Sequence, residues 1–249
     1  MSHSPRPYQA LIGAALLAGM VLLWTGSVIH YGQGSPNDPQ ALLADAHAYP
    51  GANLTRAATD IASMTCFLLG GIGLAAIVRG RGRGATIPAV VLLALGVPSH
   101  VLGASFWLTV IKVTNAGLTA AEETRVARQL IDLANIYFLG LIPFLLALLL
   151  IPAALWRARV VSWIPLALVA GDLIVVNQFT GSFTPNSLLW WLDPLITVTA
   201  YGWLAYGITR YRPADQHRQA GIPVQPEPIE ARTTSSDPGP AGTLSHQEM

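Results

Sequence analysis

Residues Ile61–Ile111 read IASMTCFLLGGIGLAAIVRGRGRGATIPAVVLLALGVPSHVLGASFWLTVI, two long apolar runs divided by the basic turn Arg79–Arg83. At a rise of about 1.5 Å per residue, a run of about 20 residues crosses a hydrocarbon layer of about 30 Å. Two such runs joined by a few residues can only be a helical hairpin through a bilayer. Single strands would leave their backbone polar groups unsatisfied in lipid, and the alternation of a barrel is absent. The rest of the chain agrees: 52% of its 249 residues are hydrophobic, 11% are charged, and the mean hydropathy is +0.48. Soluble domains carry about 25% charged residues.

Outward from that hairpin, four more runs of spanning length appear. The six are Ala10–Ile29, Ile61–Val78, Ile87–Ile111, Ile136–Trp156, Val160–Gln178 and Leu188–Thr209. The expected fold is all-α, a six-helix transmembrane bundle. The first run lacks a following A-x-A site and exceeds the usual apolar core of a signal peptide, about 7–15 residues, so it is expected as a retained span. Residues 213–249 are rich in Pro, Ser, Thr, Gly and Gln and are expected to form a disordered tail.

Basic residues set the expected orientation. Arg6, Arg79, Arg81, Arg83, Arg157, Arg159, Arg210, Arg212, Arg218 and Arg232 fall on one side; Arg56, Lys112, Arg125 and Arg128 fall on the other. The positive-inside rule places the first group, with both termini, in the cytoplasm. On the outer side, Asp38-Pro39 reads as an N-cap followed by a proline at N1, predicting a short helix over Pro39–Tyr49. Thr119-x-x-Glu122 is a capping box, predicting a helix that runs on into the fourth span.

Ionisable residues in spans cost a few kcal/mol each, which makes them the candidates for function. Asp60 opens the second run, His100 lies in the third, Asp172 near the middle of the fifth and Asp193 early in the sixth. With Asn177 they all map to the middle or outer half of the bilayer, where Trp107, Trp190 and Trp191 also lie. This clustering predicts an outward-opening polar pocket formed by spans 2, 3, 5 and 6. Asp60, Asp172 and Asp193 are its candidate acid and base groups; His100, Asn177, Trp107, Trp190 and Trp191 are its candidate binding residues. Each has a structural alternative. Asp60 suits an N-cap, Asp193 can meet the amides exposed at Pro194, His100 can bond to a neighbouring helix, and the tryptophans suit an interfacial belt. His30 and Asn135 are expected near the outer surface.

Metal and redox chemistry find little to work with. Cys66 is the single cysteine, and the histidines form no H-x-x-x-H or H-E-x-x-H motif. No Gly loop of Walker type exists, and the basic turn is a cytoplasmic anchor rather than a nucleic-acid patch. No cofactor and no metal are expected. The expected partners are the lipid bilayer and a small or lipid-soluble molecule, with oligomers possible.

The Trp190-Trp191-Leu192-Asp193 run, with Asp60 on another helix, resembles the acidic pair of membrane-integral terpene cyclases. That resemblance covers two acidic positions and implies acid catalysis on a lipid-soluble substrate. A proton-linked carrier working through Asp172 and His100, and an accessory or scaffold protein, are the other readings. In its Ala/Leu/Gly/Arg-rich style with short cytoplasmic turns, the helical region resembles the many uncharacterised multi-pass membrane proteins of high-GC bacteria. That likeness implies a bacterial plasma membrane and assigns no functional residue.

Overall fold

The computed structural model describes residues 7–30, 38–78, 82–176 and 191–211; the side chains of 29–30, 134–139 and 175–176 are outside that description. The expected tail, 213–249, also lies outside the described residues. The described residues contain helices and turns and no strand. The helices are α1 (Pro7–His30), α2 (Pro39–Ala48), α3 (Pro50–Ile77), α4 (Arg83–Thr114), α5 (Ala120–Arg157), α6 (Ile164–Gly171) and α7 (Leu192–Arg210). A π-helical turn, Asp172–Val176, continues α6. Four helical segments are long and apolar enough to cross a membrane: Pro7–Val28, Pro50–Ile77, Arg83–Thr114 and Gly140–Arg157. Ile164–Ile174 is apolar but shorter.

The packing closes a ring. α1 packs on α3, α3 on α4, α4 on α5, α5 on α6, α6 on α7, and α7 returns to α1. Chain order therefore equals order around the ring, as short connections favour. α2 lies across one end, against α3, α4 and α5. Leu42, Leu43 and Ala46 of α2 pack with Val110, Val113 and Ala127, and Trp107 joins that cluster. We call this the α2 end.

Alternate helices meet inside the ring. Phe67 of α3 stands edge-to-face with Phe144 of α5 at 5.6 Å and with Tyr201 of α7 at 5.8 Å. All three are almost wholly buried, and the Tyr201 hydroxyl donates to the Leu148 carbonyl at 3.2 Å. In lipid, such packing holds helices together where the hydrophobic effect cannot. Close approach requires small residues: a Cβ at Gly19 of α1 would lie 3.1 Å from the Phe67 ring. At Gly26 a Cβ would collide with Thr59, so α1 and α3 also touch at the α2 end.

Several boundaries differ from the sequence reading. The second run was expected to begin at Ile61, but α3 begins at Pro50, with the proline in its first turn. The polar first turns of α3 hide their hydrophilic groups against neighbouring helices, so hydropathy alone truncates the helix. The fifth run was expected from Val160. Residues 160–163 are instead bend and irregular after the turn at Arg159, whose φ is 56°, and the helix starts at Ile164 with Pro165 in its first turn. The described part of the sixth run is helical from Leu192; its expected start, Leu188, lies in residues 177–190, outside the described residues. The two capping expectations hold. Asp38 caps α2, accepting from the Gln40 amide, and the Thr119/Glu122 capping box opens a 38-residue α5.

Candidate functional site

Two polar clusters occupy the α2 half of the ring. The first is built on α3. Arg56 and Asp60, four residues apart, lie one turn above each other on the helix. The Arg56 Nε lies 3.3 Å from the Asp60 carboxylate, and its Nη1 donates to Ser27 Oγ of α1 at 2.7 Å. Asp60 is 1% exposed, so its charge is matched inside the bundle rather than by water. It is not an N-cap, because α3 begins well before it. His100 of α4 is buried edge-to-face against Phe144, 4.7 Å between centroids, within reach of the Arg56 charge.

The second cluster joins α6 and α7. The side chains of Asp172 and Asp193 are hydrogen-bonded to each other. They are 2% and 5% exposed, and one oxygen of each, Oδ1, has no partner. Ionised carboxylates only accept, so a bond between two carboxyls requires that at least one carry a proton. Asp172 sits where α6 passes from α to π register, a change that often marks functional positions. Asp193 lies in the first turn of α7, beside Pro194. Its partner is thus a carboxyl on another helix, not the amides of its own first turn. Thr197 Oγ1 donates to the Asp193 carbonyl at 3.0 Å and accepts from Trp24 Nε1 of α1 at 2.7 Å.

α1 links the clusters. Trp24 and Ser27, three apart on its surface, reach α7 and α3 respectively. The depths also match. Asp60 precedes Phe67 by seven residues and Asp193 precedes Tyr201 by eight, so each lies about 10–12 Å from the aromatic contact towards the α2 end.

Of the residues expected at a common site, Asp172 and Asp193 meet directly and Asp60 and His100 share the influence of Arg56. Trp107 does not join them: it stacks on Phe106 at 4.9 Å in the cluster beneath α2. Trp191 is half exposed just before α7. Asn177 and Trp190, and the side chains of His30 and Asn135, lie outside the described residues. Sequence reasoning missed Arg56, counted as a loop cation. It also missed Asn53, Trp24 and Thr197. The spacing Arg56-x-x-x-Asp60 was the available signal, legible once the helix is started at Pro50.

A family model described as a domain of unknown function, DUF4386, matches residues 11–206. The chain belongs to the DUF4386 family. The matched stretch begins in α1 and ends in α7, so the DUF4386 domain comprises the helical ring and both clusters. No curated protein and no solved structure matches the chain.

Among the described residues outside the spans, two groups are shifted. Burial beneath α2 pushes the Asp45 carboxyl up to about 6. The Thr119 backbone N–H and hydroxyl, both bonded to the Glu122 carboxylate, hold that group below the usual range.

Proposed function

We propose that this protein is a six-span carrier of a bacterial plasma membrane that binds and releases a proton at Asp172–Asp193 in step with movement of a small or lipid-soluble ligand. The observation that carries this reading is the hydrogen bond between two buried carboxyls on different helices. Intramembrane acids of this kind mark proton and substrate pathways. The positive-inside count supports an outward-facing α2 end. The change from α to π register at Asp172 supports it too, since such turns occur frequently at functional sites.

The cyclase reading needs Asp60 as a free acid partner to Asp193. Asp60 is instead engaged by Arg56, whose Nε lies 3.3 Å from its carboxylate, so it is not a free partner. The scaffold reading expects Asp60, His100, Asp172 and Asp193 each to be individually hydrogen-bonded, with no cavity. Asp172 and Asp193 instead bond to each other, and Oδ1 of each is left without a partner.

Infrared difference spectroscopy of the purified protein tests the proposal. The wild type should show a buried protonated-carboxyl carbonyl band that shifts in heavy water and disappears in the Asp172→Asn/Asp193→Asn double variant. In proteoliposomes the wild type should carry protons down an imposed pH gradient in the presence of its ligand. A band of unchanged intensity in the double variant would overturn the reading.

A further inference from the structure

The end of the ring opposite α2 carries exposed arginines that backbone contacts hold together. A Cβ at Gly82 would lie 2.6 Å from the Ala158 Cβ and 2.8 Å from the Ala154 carbonyl oxygen, so the start of α4 touches the end of α5. Arg83 follows Gly82, Arg157 and Arg159 flank Ala158, and all three are exposed. A Cβ at Gly207 would collide with Val161 and lie 3.2 Å from the Val160 carbonyl oxygen. That contact brings the last turn of α7 against the same corner. Its Arg210 is parked over the exposed Tyr206 ring, 4.3 Å from the centroid. Among the described residues no Asp or Glu stands at this end, so the other three guanidinium charges are not cancelled locally.

Arg159 stands where its side chain carries a cost. The chain leaves α5 by a Schellman turn: the Val160 amide donates to the Leu155 carbonyl and the Arg159 amide to the Trp156 carbonyl, each at 2.9 Å. The left-handed position of that turn, φ 56°, is one that glycine fills freely and an L side chain only with strain. A cation at a helix C-terminus complements the dipole, but Arg157 in the last turn already does so. The second guanidinium calls for a partner beyond the helix. Trp156, Trp163 and Trp203, all exposed, stand at the same end. Exposed indoles at the ends of apolar helices mark the level of the headgroups. The anion at that level is the lipid phosphodiester, whose oxygens match the guanidinium fork.

We infer that Arg83, Arg157 and Arg159 form a binding site for one acidic phospholipid, held by its phosphodiester at the corner where α4 meets α5. The positive-inside count assigns that corner to the cytoplasmic leaflet, where anionic lipid is met by basic groups at helix ends. A zwitterionic headgroup brings its own ammonium against the same arginines and binds less well. A soluble phosphate ester has the anion but no acyl chain to lie beside Trp156 and Trp163. The site stands apart from Asp172–Asp193, and either reading can fail without the other.

Native mass spectrometry of the full-length protein in detergent, with phosphatidylglycerol and phosphatidylcholine in equal amounts, tests this. The wild type should retain phosphatidylglycerol in preference. Arg157→Gln/Arg159→Gln should weaken that retention by about thirtyfold, about fivefold for each arginine lost. Arg125→Gln/Arg128→Gln, which removes the same charge from the other end of α5, should leave it unchanged. Arg159→Gly separates lipid binding from folding. Its unfolding midpoint in phosphatidylcholine nanodiscs should exceed that of the wild type, because the left-handed strain is relieved. The further rise that phosphatidylglycerol gives the wild type should shrink in this variant. Equal retention of the two lipids by the wild type overturns the inference, as does equal loss from both double variants. So does a midpoint of Arg159→Gly below the wild type in both lipids, which would make Arg159 a structural cation of the helix end. Stabilisation of the wild type by glycerol 3-phosphate as large as that by phosphatidylglycerol would make the ligand a free anion and overturn the lipid assignment.

Discussion

Arg56 and Asp60 show how a charge is accommodated inside an apolar bundle. Asp60 is almost wholly buried, Arg56 is partly so, and Ser27 takes a second guanidinium N–H. The pair is inexpensive intact and costly when halved, because removal of one partner strands the other charge. Arg56→Gln should therefore lower stability by about 3–5 kcal/mol by leaving the Asp60 carboxylate unpaired. Asp60→Asn should cost less, since the Arg56 side chain remains 19% exposed and keeps Ser27. The double variant should recover most of the larger loss. Thermal unfolding in detergent across this double-mutant cycle reads the coupling, and strictly additive losses would show that the two groups do not act as a pair. At this scale the candidate site was half legible. Scarcity of charge pointed to Asp60, His100, Asp172 and Asp193. It could not point to Trp24, Ser27, Thr197 or Asn53, which are neutral and unremarkable in composition. Their importance comes from which helix stands opposite, and one sequence does not contain that.

At the level of elements, capping chemistry was the most legible signal. Asp38-Pro39 and Thr119-x-x-Glu122 begin α2 and α5 because each places an acceptor beside orphan amides. Hydropathy was a poorer guide to boundaries. It missed the polar first turns of α3, and it ran through the turn before α6, where a left-handed residue and Pro165 reset the chain. The π turn at Asp172 has no sequence signature. α2 carries a testable pH response. Asp45 is buried at its contact with the bundle, and burial raises its carboxyl from 3.8 to about 6. The folded state thus holds the proton more tightly than the unfolded state. The resulting stabilisation is complete below about 4, falls as pH rises through about 6, and is absent above. His47 and Glu123 lie 3.6 Å apart across α2 and α5. Protection factors for hydrogen exchange in α2, corrected for the intrinsic pH dependence of the rate, should therefore be larger at pH ~5 than at pH ~7. Asp45→Asn should remove that difference. Identical protection factors at both values in the wild type would contradict the assignment.

For the whole molecule, the membrane class followed from composition, whereas the closed ring did not. Six apolar runs are compatible with many arrangements, and the charged residues drew attention to spans 2, 3, 5 and 6. α1 has no ionisable side chain within its span and was left out, yet it supplies the indole and hydroxyl that tie the clusters together. Ring closure also makes orientation a strict consequence of span number. With six crossings, the α4–α5 turn and the two termini must lie on opposite sides. Ala116 is exposed in that turn, and Gly84 is exposed at the other end of α4, with open space where a side chain would go. In a Cys66→Ala background, Ala116→Cys should react with a membrane-impermeant maleimide in intact cells. Gly84→Cys and Ser245→Cys should react only after the membrane is opened. Labelling of Ser245→Cys from outside, with Gly84→Cys still protected, would mean an odd number of crossings between them. In that case α6 or α7 fails to traverse. Asp172 and Asp193 would then meet at the surface of the bilayer rather than within it, and the physical reason for their sharing a proton would be gone.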